Sequence, residues 1–324
     1  MQATPERLDY FIFDPKQHDH FVDDFLIKAS KAHKHEKRSR DWFYWKFFAN
    51  PYGDSILACV ATKTELVGCV AYGKQPFQID GEKYEGVLSF ETFVDPAFQG
   101  RGLFSKLIKF AEEEVKRQGV KIMLNFPNSQ SLRGFIKKNW QPLPISAYYL
   151  RPRLSFNLLR NFSKIRTPFV PLASNLEVIK DQFPKQFNYK YKASHEPVVT
   201  ADYINYRFFS FPNAHYLVYN ENDTFAVGRL GKRAELTELQ ILVFNSPELS
   251  KKSMRAMLRY FKTQTKADLI SYPSSVNSVL RGLLKKLGFI KVPNKANVCY
   301  KILDENINPD MNKLELSAIN FHTY

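Results

Sequence analysis

Val94-Asp95-Pro96-Ala97-Phe98-Gln99-Gly100-Arg101-Gly102-Leu103-Phe104-Ser105-Lys106-Leu107-Ile108 is the stretch that decides the fold. Val87 to Val94 is apolar and β-branched or aromatic at most positions, which predicts a strand, and Asp95-Pro96 ends it. Leu103, Leu107, Ile108 and Ala111 then recur at helical spacing. Phe98 to Gly102 is therefore a connector from strand to helix. Gly100 and Gly102 open backbone conformations closed to other residues and leave no side chain between the amides and a ligand. The unpaired amides of the helix's first turn, at the positive end of its dipole, form a site for a phosphate-sized anion, and Arg101 adds a charge beside it. The dipole alone supplies only ~0.3–2 kcal/mol, so several amides must act together.

The loop Gln99-Gly100-Arg101-Gly102-Leu103-Phe104 resembles the acyl-CoA loop of the GNAT acyltransferase superfamily, Gln/Arg-x-x-Gly-x-Gly/Ala. It matches the first and fourth positions and carries Phe104 where the family has a small residue. The resemblance implies that the amides from Gln99 to Phe104 hold the pyrophosphate of coenzyme A, and that Thr92, Phe93 and Val94 hydrogen-bond its pantetheine arm. A second strand is predicted over Lys121 to Phe126, followed by Asn128, Ser131, Phe135, Asn139 and Trp140, which resemble the family's Asn-x-x-Ala-x-x-x-Tyr-x-x-x-Gly-Phe segment. Asn128 is thereby expected to contact the cofactor. Phe135 lacks the hydroxyl that protonates the departing thiolate in the family, so that role is not carried over. A thiol titrating near ~8.5 is a fair leaving group, and water or another residue suffices.

The chain also repeats itself. Asp41-Trp42-Phe43-Tyr44-Trp45-Lys46-Phe47-Phe48-Ala49-Asn50-Pro51 aligns without a gap on Asp202-Tyr203-Ile204-Asn205-Tyr206-Arg207-Phe208-Phe209-Ser210-Phe211-Pro212. Gly68 answers Gly228, Leu88 to Val94 answers Glu235 to Val243, and Asn277, Leu280, Leu284, Gly288 and Phe289 reproduce the spacing of the Asn128 segment. The expected fold is α/β (α+β): two tandem GNAT-like lobes, each a mixed, mostly antiparallel sheet flanked by helices. Residues 1–150 are expected to be the acyl-CoA-binding lobe, 151–174 a basic linker, and 175–324 a degenerate second lobe. In that second copy Asn245-Ser246-Pro247-Glu248-Leu249-Ser250-Lys251 replaces the glycine loop and puts a carboxylate where the pyrophosphate would sit. It is read as a lobe that lost cofactor binding and shapes the acceptor cleft. Arg151 to Leu176 holds three prolines and no acid. Its segment Leu154 to Ile165 is amphipathic and basic; packing against a lobe is the expected role, with a membrane surface as the alternative.

With 44% hydrophobic residues among 324, the chain can fill two cores, which excludes disorder as the default. The start lacks a cleavable apolar core and no apolar run reaches the ~18–20 residues of a spanning helix, so a cytoplasmic setting is expected. Three cysteines suit it; Cys59 and Cys69 flank a predicted hairpin turn at Lys63-Thr64-Glu65 and read as buried small apolar residues. No metal is expected, because His18/His20 and His33/His35 are spaced to different helix sides and no Cys-x-x-Cys accompanies them.

The net charge of +15 asks for an acidic partner. Lys28, Lys31, Lys34, Lys37, Arg38 and Arg40 concentrate charge before the first aromatic block, read either as a solvated face or as a rim steering an anionic ligand. Amine attack on a thioester needs positioning, oxyanion donors and a proton acceptor, and Glu91, on the strand that would carry the pantetheine, is the candidate base. Asp41 and Asp95 are better explained by capping and turn roles. Trp45, Lys46, Asn50, Pro51, Tyr52 and Gly53 resemble a subset of GNAT proteins linked to bacterial surface polysaccharides (O-antigen), among them tandem-repeat N-acyltransferases acting on nucleotide-linked amino sugars. That resemblance implies transfer of an acetyl or short hydroxyacyl group, for example 3-hydroxybutanoyl, from acyl-CoA to the amine of a dTDP- or UDP-linked amino sugar. The alternatives are a GNAT acting on protein lysines or aminoglycosides, whose cationic acceptors suit an acidic cleft, and a non-catalytic module binding nucleic acid or an anionic membrane.

Overall fold

The computed structural model describes residues 7–33, 37–144, 146–172, 190, 193–212, 216–275, 278–292 and 296–320. Lys34, His35 and Asn277, named above, lie outside the described residues, as does the chain from 173 to 189. The main strands are β1 (Asp9–Ile12), β2 (Ile56–Ala61), β3 (Leu66–Lys74), β4 (Gly86–Val94), β5 (Ile122–Asn125), β6 (Ser146–Pro152), β7 (Leu217–Glu221), β8 (Thr224–Arg233), β9 (Leu236–Asn245), β10 (Leu269–Ser275), β11 (Ile290–Val292) and β12 (Cys299–Ile302). The helices that matter here are α1 (Val22–His33), α2 (Arg40–Phe48), α3 (Leu103–Arg117), α4 (Ser129–Ile136), α5 (Phe156–Arg160), α6 (Ala201–Ile204), α7 (Lys251–Gln264) and α8 (Arg281–Lys286).

Two seven-stranded sheets result. The first runs β1-β2-β3-β4-β5-β12 and ends on the short strand Gln141–Pro142; the second runs Val170–Pro171, β8, β9, β10, β6, β11, with β7 beside β8. In each sheet one central pair is parallel, β4 with β5 and β9 with β10, and the pairs around it are antiparallel. The expected mixed, mostly antiparallel lobes are thus present, and the second repeats the first.

Local chemistry confirms the register of the repeat. Ser39 caps α2 by accepting from the Trp42 amide, and Thr200 caps α6 by accepting from the Tyr203 amide at the aligned position. Gly68 and Gly228 lie under α3 and α7, where a Cβ would meet Leu107 and Phe93 in one case and Phe261 and Leu239 in the other. Asn139 and Gly288 both take positive φ, 64° and 82°, just before the buried Trp140 and Phe289.

The expected boundaries at 150 and 174 do not follow the sheets. β6, from the first copy, pairs antiparallel with β10 of the second sheet, while β12, from the second copy, pairs antiparallel with β5 of the first. The last main strand of each copy has crossed to the other sheet, at equivalent positions of the two copies. Nor is 151–174 only a linker, since Val170–Pro171 pairs with β8. His195–Pro197 adds a further tie, pairing with Phe77–Ile79 beside the first sheet.

Between the sheets the aromatic repeats meet each other. The Trp45 and Tyr206 rings, at aligned positions, stack at 5.1 Å; Trp45 Nε1 donates to the Tyr206 carbonyl at 2.9 Å and Tyr206 Oη donates to the Lys46 carbonyl at 3.2 Å. Tyr52 stacks on Tyr203 at 5.1 Å. One apolar cluster consequently runs from Phe25, Phe43 and Phe93 through this contact to Phe208, Phe225 and Leu316, so the interface is a shared core in which each ring buries on the order of 150–250 Å². Cys59 and Cys69 lie opposite each other on β2 and β3, both buried and both free thiols, as the sequence reading expected.

Candidate active site

The loop after β4 has the expected geometry. Pro96–Phe98 forms a tight turn capped by Asp95, whose Oδ1 accepts from the Ala97 amide at 3.0 Å. Gly100 and Gly102 have φ of 76° and 72°, conformations that residues with a Cβ adopt only under strain, and a Cβ at either would project into open space. Gly102 precedes α3 without supplying a side-chain cap. The amides of its first turn are thus left to a ligand. Gln99 Nε2 donates to the Val94 carbonyl at 2.9 Å, tying the loop to the strand end, and Arg101 is turned back over the Phe98 ring at 4.9 Å with Nη2 donating to the Ala97 carbonyl. Leu103 is buried beneath the helix. Phe104 departs from the small residue of the family pattern, and the fold compensates: its ring packs edge-on to Phe135 at 5.6 Å and fills the space that a Cβ on Gly134 would need.

β4 and β5 pair in register only from Gly86/Ile122 to Ser89/Asn125. Beyond Ser89, β4 continues to Val94 while β5 stops, and among the described residues no strand pairs with Phe90 to Val94 on that side. The gap opens into a cleft of about 450 Å³. Its walls are His33 from α1, Arg38 just before α2, Trp42 and Lys46 from α2, Ser89 to Thr92 from β4, Asn125 to Asn128 and Phe135 at and after the end of β5, and Phe211 from the second repeat. Thr92 Oγ1, Ser89 Oγ and Asn125 Nδ2 are buried there with no hydrogen-bond partner among the described residues, which is costly unless a ligand satisfies them. Phe93 turns its side chain into the core against Phe25, so only its backbone is available to the cleft. Asn128 lines the cleft and also starts α4, its Oδ1 accepting from the Ser131 amide at 2.8 Å.

Glu91 sits at a bulge, where Cys69 opposes Phe93 and Ala71 opposes Phe90. Its φ is 45°, an uncommon conformation for a non-glycine residue, and the Cys69 thiol donates to its carbonyl at 2.9 Å. The bulge aims the carboxylate into the cleft, where Oε2 has no hydrogen bond and stands 3.6 Å from His33 Nε2.

Lys46 escaped the sequence reading as a site residue. It is 3% exposed, with Nζ 4.7 Å from the centre of the Phe90 ring. Burial pushes its ammonium pKa down to about 7; Glu91 works against that shift, while Arg207 and Arg38 add to it. The invisible step was tertiary, since Lys46 is buried where α2 packs on the Phe90 ring of β4 and on the second repeat. Lys28 and Arg40, at the two ends of the basic run, are paired with acids. Lys28 bonds Glu65 at 2.6 Å and Asp95 at 3.1 Å, and Arg40 bonds Asp19 and Asp23. Among the described members of that run, Arg38 lines the cleft.

The second lobe closes both features. Ser250 caps α7, its hydroxyl accepting from the Ser253 amide at 3.1 Å. β9 and β10 likewise pair only from Glu238/Leu269 to Gln240/Ser271, but the chain's own segment 314–320 occupies the region beyond. Ser275 Oγ donates to the Leu314 carbonyl, and Ser274 and Ser278 donate to Glu315.

Residues 17–138 match the family described as Acetyltransferase (GNAT) family. The first lobe is a GNAT domain. Solved structures of the same fold include a probable N-acyltransferase from Enterococcus faecalis V583, 12% identical with a TM-score of 0.64, covering 93% of this chain and 73% of that one. A GCN5-related N-acetyltransferase from Anabaena variabilis is 13% identical with a TM-score of 0.61, covering 92% and 73%. The N-myristoyltransferase of Saccharomyces cerevisiae with bound myristoyl-CoA is 12% identical with a TM-score of 0.56, covering 97% and 89%. No curated protein matches the sequence significantly. The match within the first lobe supports an acyl-CoA-dependent N-acyltransferase, and the two-sheet architecture is shared with these structures along nearly the whole chain.

Proposed function

We propose that acyl-CoA binds in the first lobe only, and that the acyl group passes to the amine of an anionic acceptor, best fitted by a nucleotide-linked amino sugar. The observation that carries the first part is the pairing of an uncapped, glycine-bordered start of α3 with the open gap between β4 and β5. The second lobe offers a serine-capped helix and a gap filled by its own chain. On this reading the backbone and hydroxyl of Thr92, with the amides from Gln99 to Phe104, hold the donor, and Asn128 borders its path. The thioester carbonyl lies in the gap, where free backbone amides of β4 stabilise the developing oxyanion. Glu91 accepts the proton from the attacking amine, directly or through water. The leaving thiolate takes its proton from solvent, since Phe135 has none to give.

Arg38 lines the acceptor side, with His33 and Lys46 placed to take up a proton beside the one carboxylate of Glu91. That balance favours an acceptor with a negative charge near its amine over a polycationic aminoglycoside or a lysine-rich peptide. Trp42 and Phe211 supply ring faces for a nucleobase. The acyl group is expected to be acetyl or a short hydroxyacyl. The test is incubation with acetyl-CoA and short hydroxyacyl-CoA against a panel of dTDP- and UDP-linked amino sugars, lysine peptides and aminoglycosides. Products are read by mass spectrometry and free thiol by colorimetry. Turnover confined to the cationic acceptors would refute the sugar assignment while leaving the acyl-CoA site intact.

A further inference from the structure

The second lobe carries a concavity of about 880 Å³ far richer in charge than the cleft, lined by Arg151, Arg153, Arg255, Arg259, Lys262 and Lys286, with no acidic residue among its lining. It lies between the end of β6 and the helices α7 and α8. Burial together with Arg153 and Arg255 pushes the Arg151 pKa down, as expected where cations crowd without a counterion. Leu154 also lines it and is 94% exposed.

From Leu154 the chain enters α5, and there the expected packing against a lobe is only partly met. Leu158 is buried against Tyr148, Leu150, Leu236 and Leu269, but Phe156 is 82% exposed, Leu159 69% and Phe162 65%. Phe156 and Leu159 share one helix face and Leu158 points elsewhere. The segment is held firmly in this presentation. The buried Asp268 carboxylate accepts from Ser155 Oγ at 2.6 Å, Asn157 Nδ2 at 2.8 Å and the Thr237 amide at 2.9 Å. Burial pushes the Asp268 pKa up, but those three bonds outweigh it and hold it below the ordinary carboxylate value.

We infer that this face docks on an anionic lipid bilayer, with Leu154, Phe156, Leu159 and Phe162 entering the interface and the basic groove taking the headgroups. Four large apolar side chains kept in water by a rigid segment find a favourable medium only where apolar atoms are offered to them. Nucleic acid would satisfy the six cations but has no counterpart for two leucines. Stable peripheral binding needs an apolar and an electrostatic signal together, and Leu154 joins the two here. No described helix is long and apolar enough to cross a membrane, so the contact is one of surface attachment, and it is independent of the acceptor proposed above.

The experiment is cosedimentation of the full chain with phosphatidylcholine vesicles, with and without about a third phosphatidylglycerol. Wild type is expected to pellet with the anionic vesicles, to stay in solution with the neutral ones, and to be released as salt rises. Phe156→Ser with Leu159→Ser, and separately Arg255→Glu with Arg259→Glu, should each lower partitioning on the order of tenfold or more. All four side chains are at least partly exposed, and unchanged thermal melting checks that the variants fold. Wild type left in the supernatant, or both variants pelleting like wild type, overturns the inference. So does a concentration-dependent dimer lost in Phe156→Ser/Leu159→Ser without vesicle binding, which would make the face a contact between two copies. Binding of single-stranded DNA by wild type and the serine variant alike, without vesicle binding, would reassign the groove to a polyanion.

Discussion

Replacing Lys46 with Met should make the protein more stable near neutral pH and leave its stability unchanged in strong base. Burial has lowered the Lys46 pKa from the ordinary 10.5 to about 7, so the folded state resists the proton that the unfolded chain binds readily. At about 1.4 kcal/mol for each tenfold change in proton affinity, that displacement corresponds to about 5 kcal/mol. The sign follows from proton counting. Below about pH 7 both states carry the proton and the folded state bears the whole cost; between about 7 and 10.5 the unfolded state binds more protons and stability rises with pH; above 10.5 the cost is gone. Met keeps the apolar stem but loses the contacts of Nζ, those with the Phe90, Trp42 and Trp45 rings among them, for which about 0.5–2 kcal/mol is allowed. The net gain of Lys46→Met is therefore expected at about 2–4 kcal/mol near pH 6.5, shrinking to about zero or slightly negative by pH 10. Buried thiols and phenols, Cys59 and Tyr72 among them, have raised pKa values and work in the opposite direction in base. The quantity to plot is thus the difference between variant and wild type, from urea unfolding followed by tryptophan fluorescence at several pH values with m held in common. A difference that stays constant from pH 6.5 to 10, within the range where the argument places the change, would refute the buried neutral lysine.

Gly102→Val should abolish binding of acyl-CoA, measured by calorimetry, because a β-branched residue at φ 72° is strained and its side chain enters the amide nest; Ser250→Ala should leave binding intact while costing about 1 kcal/mol of stability. Glu91→Gln should lower turnover roughly 10²–10⁴-fold if the carboxylate takes the proton, and near wild-type rates in a folded variant would return that task to water. Glu238 is buried and bonded to Arg233, Tyr148 and Ser271, so Glu238→Leu should destabilise the protein by about 3–5 kcal/mol in denaturant titration without altering acyl-CoA affinity; a neutral result would show that the network contributes little.

The glycine loop and the helix start after it were legible because they are local. Two glycines within three residues, a strand before them and a helix after, already fix where amides stay unpaired, and nothing distant is needed. Glu91 could be named from its place on the strand, but the bulge that aims it, and the Cys69 thiol that holds the bulge, belong to the pairing of two strands and leave no mark in the order of residues. Lys46 and Arg207 stand at aligned positions of the aromatic repeat, and their burial comes from tertiary packing that the order of residues does not show. The lysine run before α2 misled in the other direction, since Asp19, Asp23, Glu65 and Asp95, which absorb Lys28 and Arg40, come from other elements. The repeat was visible in its aromatic block and loosely beyond it, yet which sheet receives β6 and which receives β12 was not, because the residues are compatible with either.

The trading of β6 for β12 has a bearing on how such a chain came about. A single ancestral copy that folded the same way would have left β5 with a bare edge and held a strand with nothing to pair with. Two such molecules would each complete the other, so the earliest form is most simply a homodimer with exchanged ends. Joining the two in one chain freed the copies to diverge, one keeping its amide nest and the other filling its own gap. It also means that the halves are inseparable: a fragment cut at 150 should come out of expression paired with itself or in aggregates, never as a stable monomer.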